Sequence, residues 1–223
     1  MRTAADFNNF YGTQDPWRIS RANFRDRILR RSVSKFTSGK SVLELGCGEG
    51  HLTQSIFGTA KSVFGIDLSD VAINRAMARA IPNAQFQTGD FLNLSFEGFE
   101  VIAAIECLYY LTANDQVTFF DKVTREHRGK ILIISGPIIG QNEHREYFTH
   151  SGLLATFAQR GISIVESHNL NVYRRGMLSN IAAALIRLPF SAWLLDVLPD
   201  SLIYQRCYLV RITCTEDDRR QRV

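Results

Sequence analysis

The 223-residue sequence predicts an α/β fold built on one doubly wound, mostly parallel sheet of seven strands. Three observations predict it. From Ser41 onward, short apolar runs alternate with helix-periodic segments, the pattern of strands buried on both faces and joined by helical crossovers. A glycine-rich turn, Glu44-Leu-Gly-Cys-Gly-Glu-Gly50, follows the first of those runs. Acidic residues then follow the next two runs, at Asp67 and Asp90.

Residues 1–38 read as an N-terminal helical cap, with a turn near Gly12 and a helix from about Ser20 to Lys35. Asp15-Pro16-Trp17-Arg18 punctuates its entry, because proline restrains the residue before it. Residues 39–215 form the main domain. Ser41 to Leu45 is the first strand, and Leu52 to Phe57 is helical. Ser62 to Ile66 is the second strand, ending at Asp67. Asp70 to Ala80 is a helix with Ser69 as its N-cap. Ala84 to Thr88, Phe99 to Ile105 and Lys130 to Ser135 are further strands, with a helix from Asn114 to Glu126 before the last of these. Thr149 to Gln159 reads as helix, Ile162 to Ser167 as the sixth strand and Tyr204 to Thr213 as the seventh. An apolar helical insertion, 176–200, precedes the seventh strand, and 216–223 is a charged tail expected to be disordered.

Composition narrows the classes. With 45% hydrophobic and 22% charged residues the chain has enough apolar material for a core, which excludes a disordered polymer. The net charge of +4 is concentrated around Arg18 to Arg31, without the broad basic face or module of a nucleic-acid binder. Cys47, Cys107, Cys207 and Cys214 are too scattered for a zinc knuckle or a disulfide framework. They read as free thiols. Met1 to Asn9 lacks the apolar core of a signal peptide, so a cytoplasmic protein is expected. Arg187, Asp196 and the prolines Pro189 and Pro199 interrupt or bound the apolar insertion, which argues against a transmembrane span. A lid, a homodimer contact and a peripheral membrane surface stay open for it.

The glycine turn is the chemical centre. Glycines permit positive φ and let a ligand approach the backbone, and the turn sits where open α/β sheets bind ligands. A carboxylate at Asp67 suits a pair of ribose hydroxyls. Asp90 suits an exocyclic amine, with Phe91 as an apolar face. The spacing of Gly46, Gly48 and Gly50 is one residue too tight for the dinucleotide fingerprint. A carboxylate at Glu44 would repel pyrophosphate and suit a cationic amino-acid moiety.

In combination these segments resemble the class I S-adenosylmethionine-dependent methyltransferases. Glu44 to Gly50, Gly65-Ile-Asp-Leu-Ser69 and Gly89-Asp-Phe91 look like that family's first three motifs. The resemblance implies a Rossmann-like methyltransferase fold with S-adenosylmethionine as cofactor. The proposed cofactor contacts are Glu44, Gly46, Cys47, Gly48, Asp67, Leu68, Asp90, Phe91 and Glu106, with Trp17 and Arg18 reaching in from the cap. Phe10-Tyr11, Asp15 to Arg18 and Glu106-Cys-Leu-Tyr-Tyr-Leu111 further resemble the nodulation N-methyltransferases, which methylate the amino sugar of a chitooligosaccharide; the apolar insertion is longer than theirs.

Methyl transfer needs alignment more than acid–base power, so no metal is expected. The catalytic candidates are Glu106, His144, His150 and Tyr11. Tyr109 and Tyr110 are candidates for an acceptor platform, and Tyr147 is a further candidate on the acceptor side. The expected acceptor is the amine or hydroxyl of a small molecule: a sugar, an amino sugar or a lipid-linked glycan. The alternatives are a nucleic-acid methyltransferase, motivated by the N-terminal arginines, and a cofactor-binding protein without turnover.

Overall fold

A computed structural model describes residues 3–20, 24–140, 145–173, 181, 184 and 194–213. Two helices, α1 (Ala4–Phe10) and α2 (Phe24–Thr37), precede the sheet. The strands are β1 (Ser41–Leu45), β2 (Ser62–Asp67), β3 (Ala84–Thr88), β4 (Val101–Ile105), β5 (Ile131–Pro137), β6 (Ile162–Val172) and β7 (Ile203–Ile212). Between them lie α3 (His51–Ile56), α4 (Asp70–Ala78), α5 (Ala113–Glu126), α6 (His150–Gln159) and the short α7 (Leu194–Val197).

The seven strands form one sheet in the order β3-β2-β1-β4-β5-β7-β6. The first five are mutually parallel, and β7 runs antiparallel between β5 and β6. Alternation along the strands builds two cores. Leu43, Leu45, Ile102, Ala104, Leu132 and Ile134 pack with Phe119, Phe120 and Phe157 of α5 and α6. Val42, Val101, Ala103 and Ile133 face the other way, onto Leu29 and Val33 of α2 and Ile56 of α3. Burial on both faces is why these strands read as continuous apolar runs. Strand order reverses between β1 and β4, so a crevice opens at their C-terminal ends.

Element boundaries differ from the sequence expectation where tertiary pairing decides them. Helix α1 was not expected; Thr3 and Asp6 form a capping box at its start. β6 runs on to Val172 because β7 keeps pairing with it through register shifts. β4 starts at Val101, since the Glu100 carboxylate accepts the Ser41 N–H instead of extending the strand. Most of the insertion 176–200, the tail 216–223 and Cys214 lie outside the described residues. Where the insertion is described, Leu195 of α7 is buried against Val172 and Ile203. No helix among the described residues is long and apolar enough to cross a membrane. Cys47, Cys107 and Cys207 are buried free thiols.

His127 ends α5 in full burial. One ring nitrogen bonds the Ile131 carbonyl oxygen, and Nδ1 has no partner among the described residues. Burial lowers its pKa to about 4, against the opposing Ile131 bond. The unfolded chain takes up this proton near pH 6.5 and the folded chain only near 4, so stability falls as pH drops through that window. His127→Gln is expected to lose that slope, about 3 kcal/mol over the window. Urea unfolding at pH 7 and pH 4.5 checks it, and an unchanged slope in the variant would contradict it.

Candidate active site

The turn after β1 is shaped by what surrounds it. Gly46, Gly48 and Gly50 all have positive φ, at 65°, 54° and 73°. A β-carbon on Gly46 would stand 2.6 Å from Cys107 Cβ, and one on Gly48 would stand 2.5 Å from the Tyr11 hydroxyl oxygen. Side chains are thus excluded by neighbours as well as by backbone conformation. The Gly46 and Cys47 N–H groups donate to the Ile66 carbonyl oxygen at 2.8 and 3.2 Å, which pins the turn to the end of β2. There Asp67 is buried. Its Oδ2 accepts the Gly48 N–H and its Oδ1 the Ser69 N–H, both at 2.9 Å. Burial raises its pKa, opposed by those backbone donors. Ser69 caps α4 and donates to Asn8 Oδ1 at 2.6 Å, which ties the cap to the cradle. After β3, Asp90 Oδ1 accepts the Leu92 N–H at 2.9 Å, and Phe91 packs edge-on against Phe119.

The cap closes over this turn through Asp15 and Glu49. Asp15 has φ 48° and Arg18 φ 54° in a turn closed by the Arg18 N–H on the Asp15 carbonyl. The Asp15 N–H donates to Glu49 Oε2 at 2.9 Å, and Arg75 pairs with Glu49 Oε1 at 2.6 Å. Burial raises the Asp15 pKa, but the Ser20 hydroxyl and the Ser20 and Ile19 N–H groups outweigh it and hold the carboxyl below its usual range. Tyr11 is buried with its ring edge against Trp17 at 5.1 Å. Burial, then Asp67, pushes its phenol far above the usual range, so it stays a neutral donor.

Glu106 leaves the end of β4 with φ 58°. A non-glycine residue there carries a strain of roughly 1–3 kcal/mol. The conformation is held by the Glu106 N–H on the Ser135 carbonyl at 2.8 Å and by the Ser135 hydroxyl on Glu106 Oε1 at 2.7 Å. Beside it Tyr109 lies between Tyr110 and Tyr147, its ring tilted 41° to each with centroids 4.7 and 4.9 Å away, and Arg145 lies over the Tyr109 and Tyr110 rings.

These groups surround one cavity of about 270 Å³. Gly46, Cys47, Gly48, Asp67 and Leu68 line it from the β1 and β2 ends. Asp90, Phe91 and Glu106 line it from the β3 and β4 ends, and Tyr11 and Trp17 cover it from the cap. Three expected residues stand elsewhere. Glu44 is buried behind the cradle and accepts a hydrogen bond from the Thr53 hydroxyl, tying α3 to β1. Burial, against the Thr53 bond, raises its pKa to about 8. Arg18 is exposed outside the cavity. His150 binds Tyr208 Oη at 2.7 Å and Arg206 at 3.0 Å, fastening α6 to β7 away from the cavity. Burial, then Arg206, lowers its pKa. His144 lies outside the described residues.

Phe7, Asp15, Arg25 and Glu49 line the cavity without having been named as site contacts from sequence. Ligand atoms of Asp15, Glu49 and His51 lie within 4.8 Å of one another. Arg75, Arg79 and backbone N–H groups already occupy these atoms, so the trio is a latch between cap and cradle. Among the described residues the lining carries five carboxylates, Asp15, Glu49, Asp67, Asp90 and Glu106, against the single guanidinium of Arg25. Such a field suits a cationic ligand and repels a pyrophosphate.

Sheet order and cradle together define the class I methyltransferase fold. A methyltransferase domain family matches residues 42–128. An uncharacterized methyltransferase of Geobacillus kaustophilus is 34% identical over 163 residues, covering 62% of this chain and 75% of that protein. One of Bacillus pumilus is 35% identical over 91 residues, covering 40% of this chain. This chain spans 41% of that relative's length. Among solved structures, the N-methyltransferase NodS of Bradyrhizobium japonicum, bound to S-adenosylhomocysteine, shares the fold. Its TM-score is 0.69 at 21% identity, over 95% of this chain and 98% of that one. The chain belongs to the S-adenosylmethionine-dependent methyltransferase family.

Proposed function

We propose that this chain binds S-adenosylmethionine in the cradle and transfers its methyl group to an amine of a small molecule, a sugar or amino sugar being favoured. The observation that carries this reading is the convergence of Gly48, Asp67, Asp90 and Glu106 on one acid-lined cavity. The residues fit the cofactor: backbone at Gly46 and Gly48 leaves room for its amino-acid part, Asp67 for ribose, and Asp90 with Phe91 for adenine. When bound, the cofactor supplies an already activated methyl on a sulfonium.

The protein's own groups then align and desolvate. Tyr11 and Trp17 close the cap side and exclude water. Together these groups would hold an acceptor nitrogen in line with that methyl, which the cofactor would give up as its sulfur became a neutral thioether. The nitrogen must present a lone pair, and the free oxygen of Glu106 accepts the proton it sheds. Tyr109 and Tyr110, tilted against each other, border the cavity beside Glu106 and give an acceptor an apolar side. The likeness to NodS, an N-methyltransferase, supports nitrogen over oxygen.

Incubation with methyl-labelled S-adenosylmethionine and separate small-molecule, glycan and nucleic-acid extracts tests the proposal. Label is expected in the small-molecule or glycan pool. Label confined to nucleic acid would replace this reading, and cofactor binding with no labelled pool would leave a non-catalytic protein.

A further inference from the structure

Arg25 is the one lysine or arginine among the described residues that line the cavity. It sits second in α2, at the positive end of a 14-residue helix, where the helix dipole disfavours a cation. Helix stability therefore does not explain its place. Its side chain is 21% exposed, and Nε is held on Asp26 Oδ1 at 2.9 Å. Among the described residues no group accepts from its two outer nitrogens. Glu106 faces the same cavity, yet the guanidinium and that carboxylate stay more than 4.0 Å apart. Burial works against the Arg25 charge, and Glu106, followed by Asp26, restores it. A planar fork fixed at one edge and open at the other is suited to a carboxylate or phosphate.

We propose that Arg25 binds an acidic group of the acceptor while Glu106 faces its amine, so that the substrate is an amine carrying a carboxylate or phosphate. The two opposite charges define a slot whose ends match an amine and an acid on one small molecule. This inference rests on the methyltransferase reading and specifies its substrate class.

The test compares the wild type with Arg25→Gln, and with Arg25→Lys, which keeps the charge but loses the fork. Affinities for S-adenosylhomocysteine and for 5′-methylthioadenosine, which lacks the amino-acid part, are measured by calorimetry. Both are expected to stay within twofold in Arg25→Gln. The methyl-labelled products of a small-molecule extract are then passed over an anion exchanger at about pH 11, where a methylated amine is mostly neutral and an acidic group keeps its charge. The labelled product is expected to be retained by its acidic group. Phosphatase treatment that abolishes retention identifies a phosphate, and retention that survives it identifies a carboxylate. In Arg25→Gln the extract concentration for half-maximal rate is expected to rise at least tenfold, with a smaller rise in Arg25→Lys. Selective loss of S-adenosylhomocysteine affinity in Arg25→Gln would assign the fork to the cofactor's carboxylate and overturn the inference. So would a labelled product without an acidic group, or no labelled product from a protein that binds S-adenosylhomocysteine. A wild type that binds neither adenosyl compound sinks the methyltransferase reading instead.

Discussion

Replacing Asp67 by alanine is expected to weaken S-adenosylhomocysteine binding by about 1–3 kcal/mol, or roughly 5- to 150-fold. The carboxylate is buried and accepts N–H bonds from Gly48 and Ser69 at 2.9 Å. Those two bonds leave lone pairs on both oxygens for ribose hydroxyls. Their loss in Asp67→Ala also loosens the cradle, so affinity alone does not isolate the ribose contact. A pair of ligands does. The wild type is expected to prefer S-adenosylhomocysteine over its 3′-deoxy analogue, and Asp67→Ala to bind both alike. A preference that survives in the variant would remove Asp67 from the ribose site.

Glu106→Gln should lower turnover on the order of 100-fold while leaving S-adenosylhomocysteine affinity within about threefold. The amide keeps the size and the hydrogen bond from Ser135, and loses only the capacity to take a proton. The left-handed backbone at φ 58° adds a second readout. Glu106→Gly relieves that conformation and is expected to melt no lower than wild type despite losing the Ser135 bond, while turnover falls at least as far as in Glu106→Gln. Equal turnover of wild type and Glu106→Gln would show that the carboxylate has no part in the chemistry.

Much of the fold was legible because its signals are local. Strands β1, β2 and β4 are buried on both faces and read as apolar runs, and Ser69 marks the start of α4 by capping it. The cradle was legible because its glycines and the two following acids stand at fixed places after consecutive strands. Helix α1 was harder to see, since seven residues with none buried leave no hydrophobic stripe. Its one signal was the Thr3–Asp6 capping box.

Residues whose surroundings come from distant parts of the chain were harder to place. His150 looked like a loop base, but its partners Arg206 and Tyr208 lie on β7. Glu44 was expected beside the cofactor; it is buried behind the cradle and accepts a hydrogen bond from the Thr53 hydroxyl. Arg25 was hidden in a string of arginines that reads as a solvated face. Only the packing of α2 beside the β4 end separates it from Arg27 and Arg30, which are exposed. Glu49 and Asp15 are 34 residues apart, and nothing in either segment announces their bond.

A crystal structure of the chain grown with S-adenosylhomocysteine shows whether the cradle holds the ligand. The expected result is one ligand whose amino-acid part lies on the Gly46–Gly48 backbone, with ribose at Asp67 and adenine between Asp90 and Phe91. Ligand density in a different cavity, or a ligand that leaves Asp67 and Asp90 untouched, would contradict it.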